Sequence, residues 1–152
     1  MDYNKKLPIF SMESYFSNKV TASGYMTFFY PLKTIKDIKI AFSGKFQDNT
    51  LTLKENYTDN DSKVLRVWSF KKQSNSLYIG KESNVKGIIK VSIDRNKLNM
   101  KYKFKTNYKK INFSVNVKDS MYLVDKETLI NKTIISKYGI TLAESFLVYK
   151  KL

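Results

Sequence analysis

No cysteine and no histidine occurs among the 152 residues. Without cysteine there is no disulfide, no thiolate nucleophile and no acceptor for a lipid anchor. Without histidine the chain lacks both the commonest general base and the commonest transition-metal ligand. A zinc site would have to be built from carboxylates alone, a donor set zinc rarely takes, so neither a metal nor a cofactor is expected. Arginine is nearly missing as well: of 28 basic residues only Arg66 and Arg95 are arginine, and the rest are lysine. Base readout and bidentate phosphate clamping favour arginine. The net charge of +15 therefore reads first as a solvated lysine surface, in a chain whose richness in Lys, Asn, Ile and Tyr fits an AT-rich genome. Attraction to anionic lipid surfaces suits that charge better than nucleic-acid binding does. No apolar run approaches the roughly 18 residues of a transmembrane helix. The start, MDYNKKLPIF, has lysines but no apolar stretch behind them, so it is not an intact signal peptide. The expectation is a soluble cytoplasmic protein, or one whose export signal has been removed.

What is present is alternation. With 42% hydrophobic and 27% charged residues the chain has the composition of one globular domain, and period-two patterning runs from about Val20 to the end. Leu98, Met100, Tyr102 and Phe104 interleave with Asn99, Lys101, Lys103 and Lys105, a strand with one apolar and one polar face. Turn signals flank it at Asp94–Lys97 and Thr106–Lys109. Closing both as hairpins sets Ile93 opposite Leu98, Val91 opposite Met100, Ile89 opposite Tyr102 and Gly87 opposite Phe104. On the other side Phe104 faces Ile111, Tyr102 faces Phe113, Met100 faces Val115 and Leu98 faces Val117. A one-residue slip would bury the lysines, so the face is well specified.

Upstream, the turn Asp59–Ser62 sets Tyr57 opposite Val64, Glu55 opposite Arg66, Leu53 opposite Trp68 and Leu51 opposite Phe70. The turn Gln73–Ser76 then brings Ile79 near Phe70. Two earlier strands fall near Val20–Phe29 and over Ile38–Phe46, a later one over Thr128–Ile135, and the last runs through ITLAESFLVYK. One short helix is expected near Ser11–Ser17, where SMES resembles a helix start but lacks the capping-box glutamate. That divides the chain into an N-terminal extension, 1–17, and one β domain, 18–152. Nothing helical is long enough to cover an apolar sheet face, whereas closure removes both that face and the edges. The fold class that follows is all-β: an antiparallel up-and-down barrel of about eight to ten strands, lipocalin-like, wide enough for one small ligand. Gly44 and Gly87, both on inward faces, mark sharp coiling.

The polar residues on the inward faces carry the functional question. Glu55 and Arg66 share a face with Leu51, Leu53, Tyr57, Trp68 and Phe70. They form a structural cross-strand pair, an anchor for a ligand headgroup, or a catalytic pair. Alternation places Glu144 inward with Ile140, Leu142, Phe146 and Val148, where a buried carboxylate would have a raised pKa; Asp119, in line with Val115, Val117 and Met121, poses the same question. Trp68, Tyr102, Phe104 and Phe113 form an aromatic cluster that is either core or pocket wall. No phosphate loop, serine-nucleophile motif or metal-ligand spacing is present.

The segments LPIFSMESYFSNKVTASGYM, FQDNTLTLKENY, LRVWSFKK and SMYLVDKETLINKTIISKYGITLAESFLVYKK resemble, in order and spacing, a bacterial family catalogued as domain of unknown function 3833. Its most specific pieces here are Arg66–Trp68, Met121–Leu123, Leu129–Asn131 and Ser136–Gly139. The resemblance implies a lipocalin-type barrel, a lipoprotein-like, envelope-linked protein and, as its ligand, a fatty acid, a phospholipid or an isoprenoid-like molecule. Glu55, Arg66, Trp68, Tyr122, Asn131 and Glu144 fall on positions matching the family's pattern, with no catalytic assignment attached. Members commonly begin with a signal peptide and a lipid-modified cysteine, which this sequence lacks, and tend to be polar where it has Thr27, Phe28 and Phe29.

The leading expectation is a module that binds a fatty acid or other lipid through Glu55, Arg66, Trp68, Tyr102, Phe104, Phe113, Tyr122 and Glu144. The alternative is an isomerase or cyclase on the same barrel, using Glu55, Glu144 or Tyr122 for proton transfer and Arg66 as electrostatic stabiliser. A third reading is nucleic-acid or anionic-surface binding by the lysine-rich exterior.

Overall fold

The computed structural model describes residues 7–59 and 61–152, with the side chain of Tyr108 excepted. The first six residues, which begin the segment read above for an export signal, and Asn60 in the turn Asp59–Ser62 lie outside the described residues. One helix, α1 (Met12–Phe16), precedes ten strands: β1 (Asn18–Phe28), β2 (Thr34–Gln47), β3 (Thr50–Asp59), β4 (Ser62–Ser74), β5 (Leu77–Lys81), β6 (Val85–Asp94), β7 (Lys97–Tyr108), β8 (Ile111–Leu123), β9 (Thr128–Lys137) and β10 (Ile140–Lys151). Each strand pairs antiparallel with the next, and β1 pairs with β10, so the sheet closes into a barrel. Closure satisfies the edge hydrogen-bonding groups that an open sheet of this size would expose. The all-β, lipocalin-like architecture expected from the alternation is the one observed.

Register follows the turn chemistry. Tyr57, Glu55, Leu53 and Leu51 face Val64, Arg66, Trp68 and Phe70, as the spacing predicts. Between β7 and β8 the pairing differs. Phe104 faces Val115, Tyr102 faces Val117, Met100 faces Asp119 and Leu98 faces Met121, a shift of four residues from the expected register. The turn is not Thr106–Lys109. Both strands run on to Tyr108 and Ile111, and Lys109 and Lys110 make the bend with φ of 49° and 66°, as a tight two-residue hairpin needs. An even shift leaves every side chain on its expected face.

Three further expectations are corrected. Ile93–Leu98 and Val91–Met100 pair as anticipated, but a bulge between Lys86 and Lys90 puts Val85, not Gly87, opposite Phe104. Gly87 is exposed at this bulge with φ +77°. In β5 it is Tyr78 and Gly80 that point inward, with Gly80 opposite Phe70; Ile79 stands on the other face. In β10 the buried residues are Ala143, Ser145, Leu147 and Tyr149, while Phe146 and Val148 face outward. The inward face of the last strand is thus the opposite one, and Glu144 leaves the lumen. A register irregularity between Thr141 and Ala143 accompanies the change.

One end of the barrel is plugged. Ser11 caps α1, its side chain accepting from the Ser14 amide, and Phe10, Met12, Tyr15 and Phe16 are all buried in the common core. Each apolar side chain so buried contributes about 1.5–3 kcal/mol. Phe16 meets the rings of Phe42 and Tyr149 edge-on at 6.1 and 6.2 Å. The Phe10 amide donates to the Arg95 carbonyl at 2.8 Å, and Tyr15 donates to the Glu127 carbonyl at 3.0 Å. Glu13 accepts hydrogen bonds from Lys72 and Tyr78. The segment before β1 therefore belongs to the barrel's core.

Gly44 is where the plug meets the wall. A Cβ at this position would lie 1.8 Å from the Phe16 carbonyl oxygen, a backbone atom that cannot rotate away. Gly44→Ala is expected to cost about 3 kcal/mol or more, at the upper end of overpacking, and to loosen α1. Thermal unfolding read beside proteolysis between α1 and β1 checks this; an unchanged midpoint would show that the plug is not seated as described.

Candidate functional site

The lumen opens at the end opposite α1 and holds a cavity of about 410 Å³, within the range of small-molecule sites. Its floor is apolar: Met12, Phe16, Phe42, Leu53, Phe70, Met100, Met121 and Tyr149. Polar groups enter one pleat further along the same strands, because inward positions recur every second residue. On β3 Glu55 follows Leu53; on β4 Arg66 lies one step beyond Trp68 toward the mouth; on β8 Asp119 lies beyond Met121. Asn131, Thr133 and Ser145 come from β9 and β10.

Glu55 and Arg66 are directly opposed in register but form no ion pair; the one such pair among the described residues is Lys72–Glu13. Trp68 Nε1 donates to Glu55 Oε2 at 2.7 Å. The Arg66 guanidinium instead lies over the Phe104 ring, 4.3 Å from its centroid, with Tyr57 at 5.7 Å. Its Nε atom is buried with no hydrogen-bond partner. A cation over an aromatic face gains about 0.5–2 kcal/mol, less than the several kcal/mol that desolvating an ion costs. Arg66 is therefore left with unspent hydrogen-bonding capacity inside the barrel. Burial raises the Glu55 pKa against the opposing pull of the Trp68 hydrogen bond and the Arg66 charge.

Asp119 organises a second polar group. It accepts from Asn131 Nδ2 at 3.0 Å, from the Thr133 hydroxyl, and from Tyr102 at 3.3 Å. Burial lifts its pKa above the usual carboxylate value although all three donors favour the ion. The Tyr102 hydroxyl is pushed well up, first by burial and then by the neighbouring Asp119. Its ring meets Trp68 edge-on at 5.8 Å, and Trp68 stacks on Phe70 at 6.1 Å. Among the described residues no group of three or more histidine, cysteine or acidic side chains could hold a metal.

Of the residues singled out from the sequence, Glu55, Arg66, Trp68, Tyr102 and Phe104 converge on this cavity. Three do not. Phe113 is half-buried beyond Val115, near the rim, with the Lys137 ammonium 5.6 Å from its ring. Tyr122 is outward and exposed, because Met121 and Leu123 take the inward positions of β8; Lys97 lies 5.1 Å from its ring. Glu144 stands between the inward Ala143 and Ser145. Asp119, expected inward from the alternation, and Asn131, marked by the family resemblance, also line the lumen; Thr133, Ser145 and Tyr149 join them unannounced by the sequence.

A family model described as "Protein of unknown function (DUF3833)" matches residues 1–151. No curated protein matches the chain. Among solved structures, the barrel is similar to an S-type phycobiliprotein lyase, CPES, from Guillardia theta (8% identity, TM-score 0.66, covering 94% of this chain and 93% of that one). It is also similar to a protein of unknown function from the DUF3598 family of Nostoc punctiforme (6% identity, TM-score 0.68, covering 95% of this chain and 50% of that one). At such identities the likeness is one of fold.

Proposed function

The chain belongs to the DUF3833 family, and from that premise we propose that it binds one acid-headed lipid, a fatty acid being the simplest, in its lumen. The observation that carries the reading is Arg66: a cation inside an apolar-floored cavity, seated on Phe104, with a buried Nε lacking a partner. A carboxylate or phosphate headgroup would complete it with charge-assisted hydrogen bonds, and the apolar floor would take the tail. The likeness to a phycobiliprotein lyase is consistent with a barrel that handles another molecule, and leaves the ligand's class to the lumen's own chemistry. Action at the cell envelope is part of the same proposal, on the ground of the family resemblance.

Trp68, the single tryptophan, lines the cavity and reports on occupancy. Titration with palmitate should change its emission and saturate at one equivalent, while hexadecanol, which keeps the chain but lacks the acid, should bind at least tenfold more weakly. Equal responses to both would remove the headgroup assignment, and no response to either would remove the reading altogether. The catalytic reading retains Glu55 and gains Asp119, both with raised pKa in the lumen. Asp119 is already engaged by three donors, which suits a structural hub better than a proton carrier.

A further inference from the structure

We propose that the open mouth docks onto an anionic lipid surface through one half of its rim. The barrel order β2-β1-β10-β9-β8-β7 sets three hairpin tips side by side at this end: β1–β2, β9–β10 and β7–β8. Residues 28–37, 103–115 and 132–144 around them hold two, four and two lysines against two acids, Asp37 and Glu144, a net charge of +6. The other half of the mouth, around the β3–β4 and β5–β6 connections, balances Asp59, Asp61 and Glu82 against Lys63, Lys81 and Lys86 and so carries no net charge. The charge of the rim is therefore lopsided, and the basic half is also the apolar half. Its tips expose Tyr30 (71%), Leu32 (78%), Ile111 (66%), Tyr138 (87%) and Ile140 (62%).

Apolar tips backed by lysines are what an anionic bilayer engages: the tips enter the interface while each nearby lysine adds about 1 kcal/mol of attraction. Tyr30 and Tyr138 suit a bilayer interface as well as a base stack, but three of the five exposed tip side chains, Leu32, Ile111 and Ile140, are aliphatic and offer bases nothing to stack on. Both arginines lie elsewhere, Arg66 in the lumen and Arg95 at the plugged end. A second copy of the chain would bring lysines against lysines. Beneath the same tips lies a second cavity of about 490 Å³, lined by Phe28, Tyr30, Pro31, Phe104, Ile135 and Leu142 among others. Phe28, Phe104 and Ile135 also line the main cavity. The two cavities are thus neighbours, with these three apolar side chains as their common wall. The docking stands on the rim alone; its use as a loading route rests on the lipid-binding reading.

The absence of cysteine permits a clean test on the full chain. Leu32→Cys, and Ile9→Cys at the plugged end as control, are labelled with a polarity-sensitive fluorophore and mixed with vesicles. On phosphatidylglycerol vesicles the label at position 32 should shift to the blue, weakening as salt is raised, and the label at position 9 should not. On phosphatidylcholine vesicles neither should respond. Adding Lys33→Gln with Lys110→Asn, asparagine being suited to the left-handed backbone there, should weaken partitioning about thirty-fold, the product of two lysine contributions. Arg66→Met should leave docking intact, so that failure of lipid binding is read separately. The proposal is overturned by no shift on phosphatidylglycerol at low salt, by equal shifts at both labels, or by tighter binding to a single-stranded RNA oligonucleotide than to the vesicles.

Discussion

Asp119→Ala is expected to destabilise the protein by about 3 kcal/mol, near the upper end for a point substitution. The carboxylate, on β8, is buried and gathers three donors from the two flanking strands: Tyr102 on β7, and Asn131 and Thr133 on β9. Two of the three have somewhere else to turn. Asn131 Nδ2 also reaches the Ser120 carbonyl at 3.1 Å, and the Thr133 hydroxyl lies 3.4 Å from Asn131 Oδ1. Tyr102 has no such alternative among the described contacts and would be left with a buried donor. Asp119→Asn keeps an acceptor and should cost much less.

The same pair of variants reads the sign of the titration. Burial raises the Asp119 pKa in the folded chain, so its stabilising share is complete below the unfolded value near 3.8 and is lost as pH rises through the raised folded value. The stability of the wild type relative to Asp119→Asn should therefore grow as pH falls from neutral into the acid range. Chemical denaturation across that range checks it. A difference that shrinks in acid would mean the three donors outweigh burial and hold the carboxylate ionised.

Arg66→Met is expected to separate stability from binding. The arginine has no carboxylate within ion-pair distance and its buried Nε is unpartnered. Replacing such a cation by an apolar side chain of similar length should leave the unfolding midpoint unchanged or raise it. Affinity for a fatty acid should fall ten- to a hundredfold, the equivalent of about 1.5–3 kcal/mol for a hydrogen-bonded charge. Loss of both stability and binding would instead make Arg66 a structural residue.

How much of this was legible depends on contrast between the two faces of each strand. In β7 the outward face is Asn99, Lys101, Lys103 and Lys105 and the inward one is apolar, so the orientation is unambiguous. In β10 Phe146 and Val148 outside are as apolar as Leu147 and Tyr149 inside, and small residues, Ala143 and Ser145, take the lumen positions. Reading the larger side chains as inward put Glu144 on the wrong face. Tyr122 was carried by a family motif whose neighbours, Met121 and Leu123, own the inward positions. The β7–β8 slip arose because lysine is no turn signal, yet Lys109 and Lys110 adopt left-handed φ.

The site divides along the same line. The Glu55–Arg66 opposition follows from a turn centre and simple counting. That Trp68, not Arg66, satisfies Glu55 depends on side-chain reach across the pleat, which periodicity does not encode. Asp119 was visible as an inward carboxylate, but its donors Asn131 and Thr133 sit on β9, whose inward positions mix Leu129, Asn131, Thr133 and Ile135 and so present no apolar stripe. The plug was legible as a helix near Ser11–Ser17; that it seals the barrel is decided by the close approach of the Phe16 carbonyl to Gly44.

The most direct test of the central claim is native mass spectrometry of the protein purified from its own cells, followed by extraction of whatever it carries. The account predicts a single acid-headed acyl lipid per chain, present on the wild type and missing from Arg66→Met. A bare wild-type mass that no added fatty acid changes would contradict it, as would a lipid that Arg66→Met retains in full.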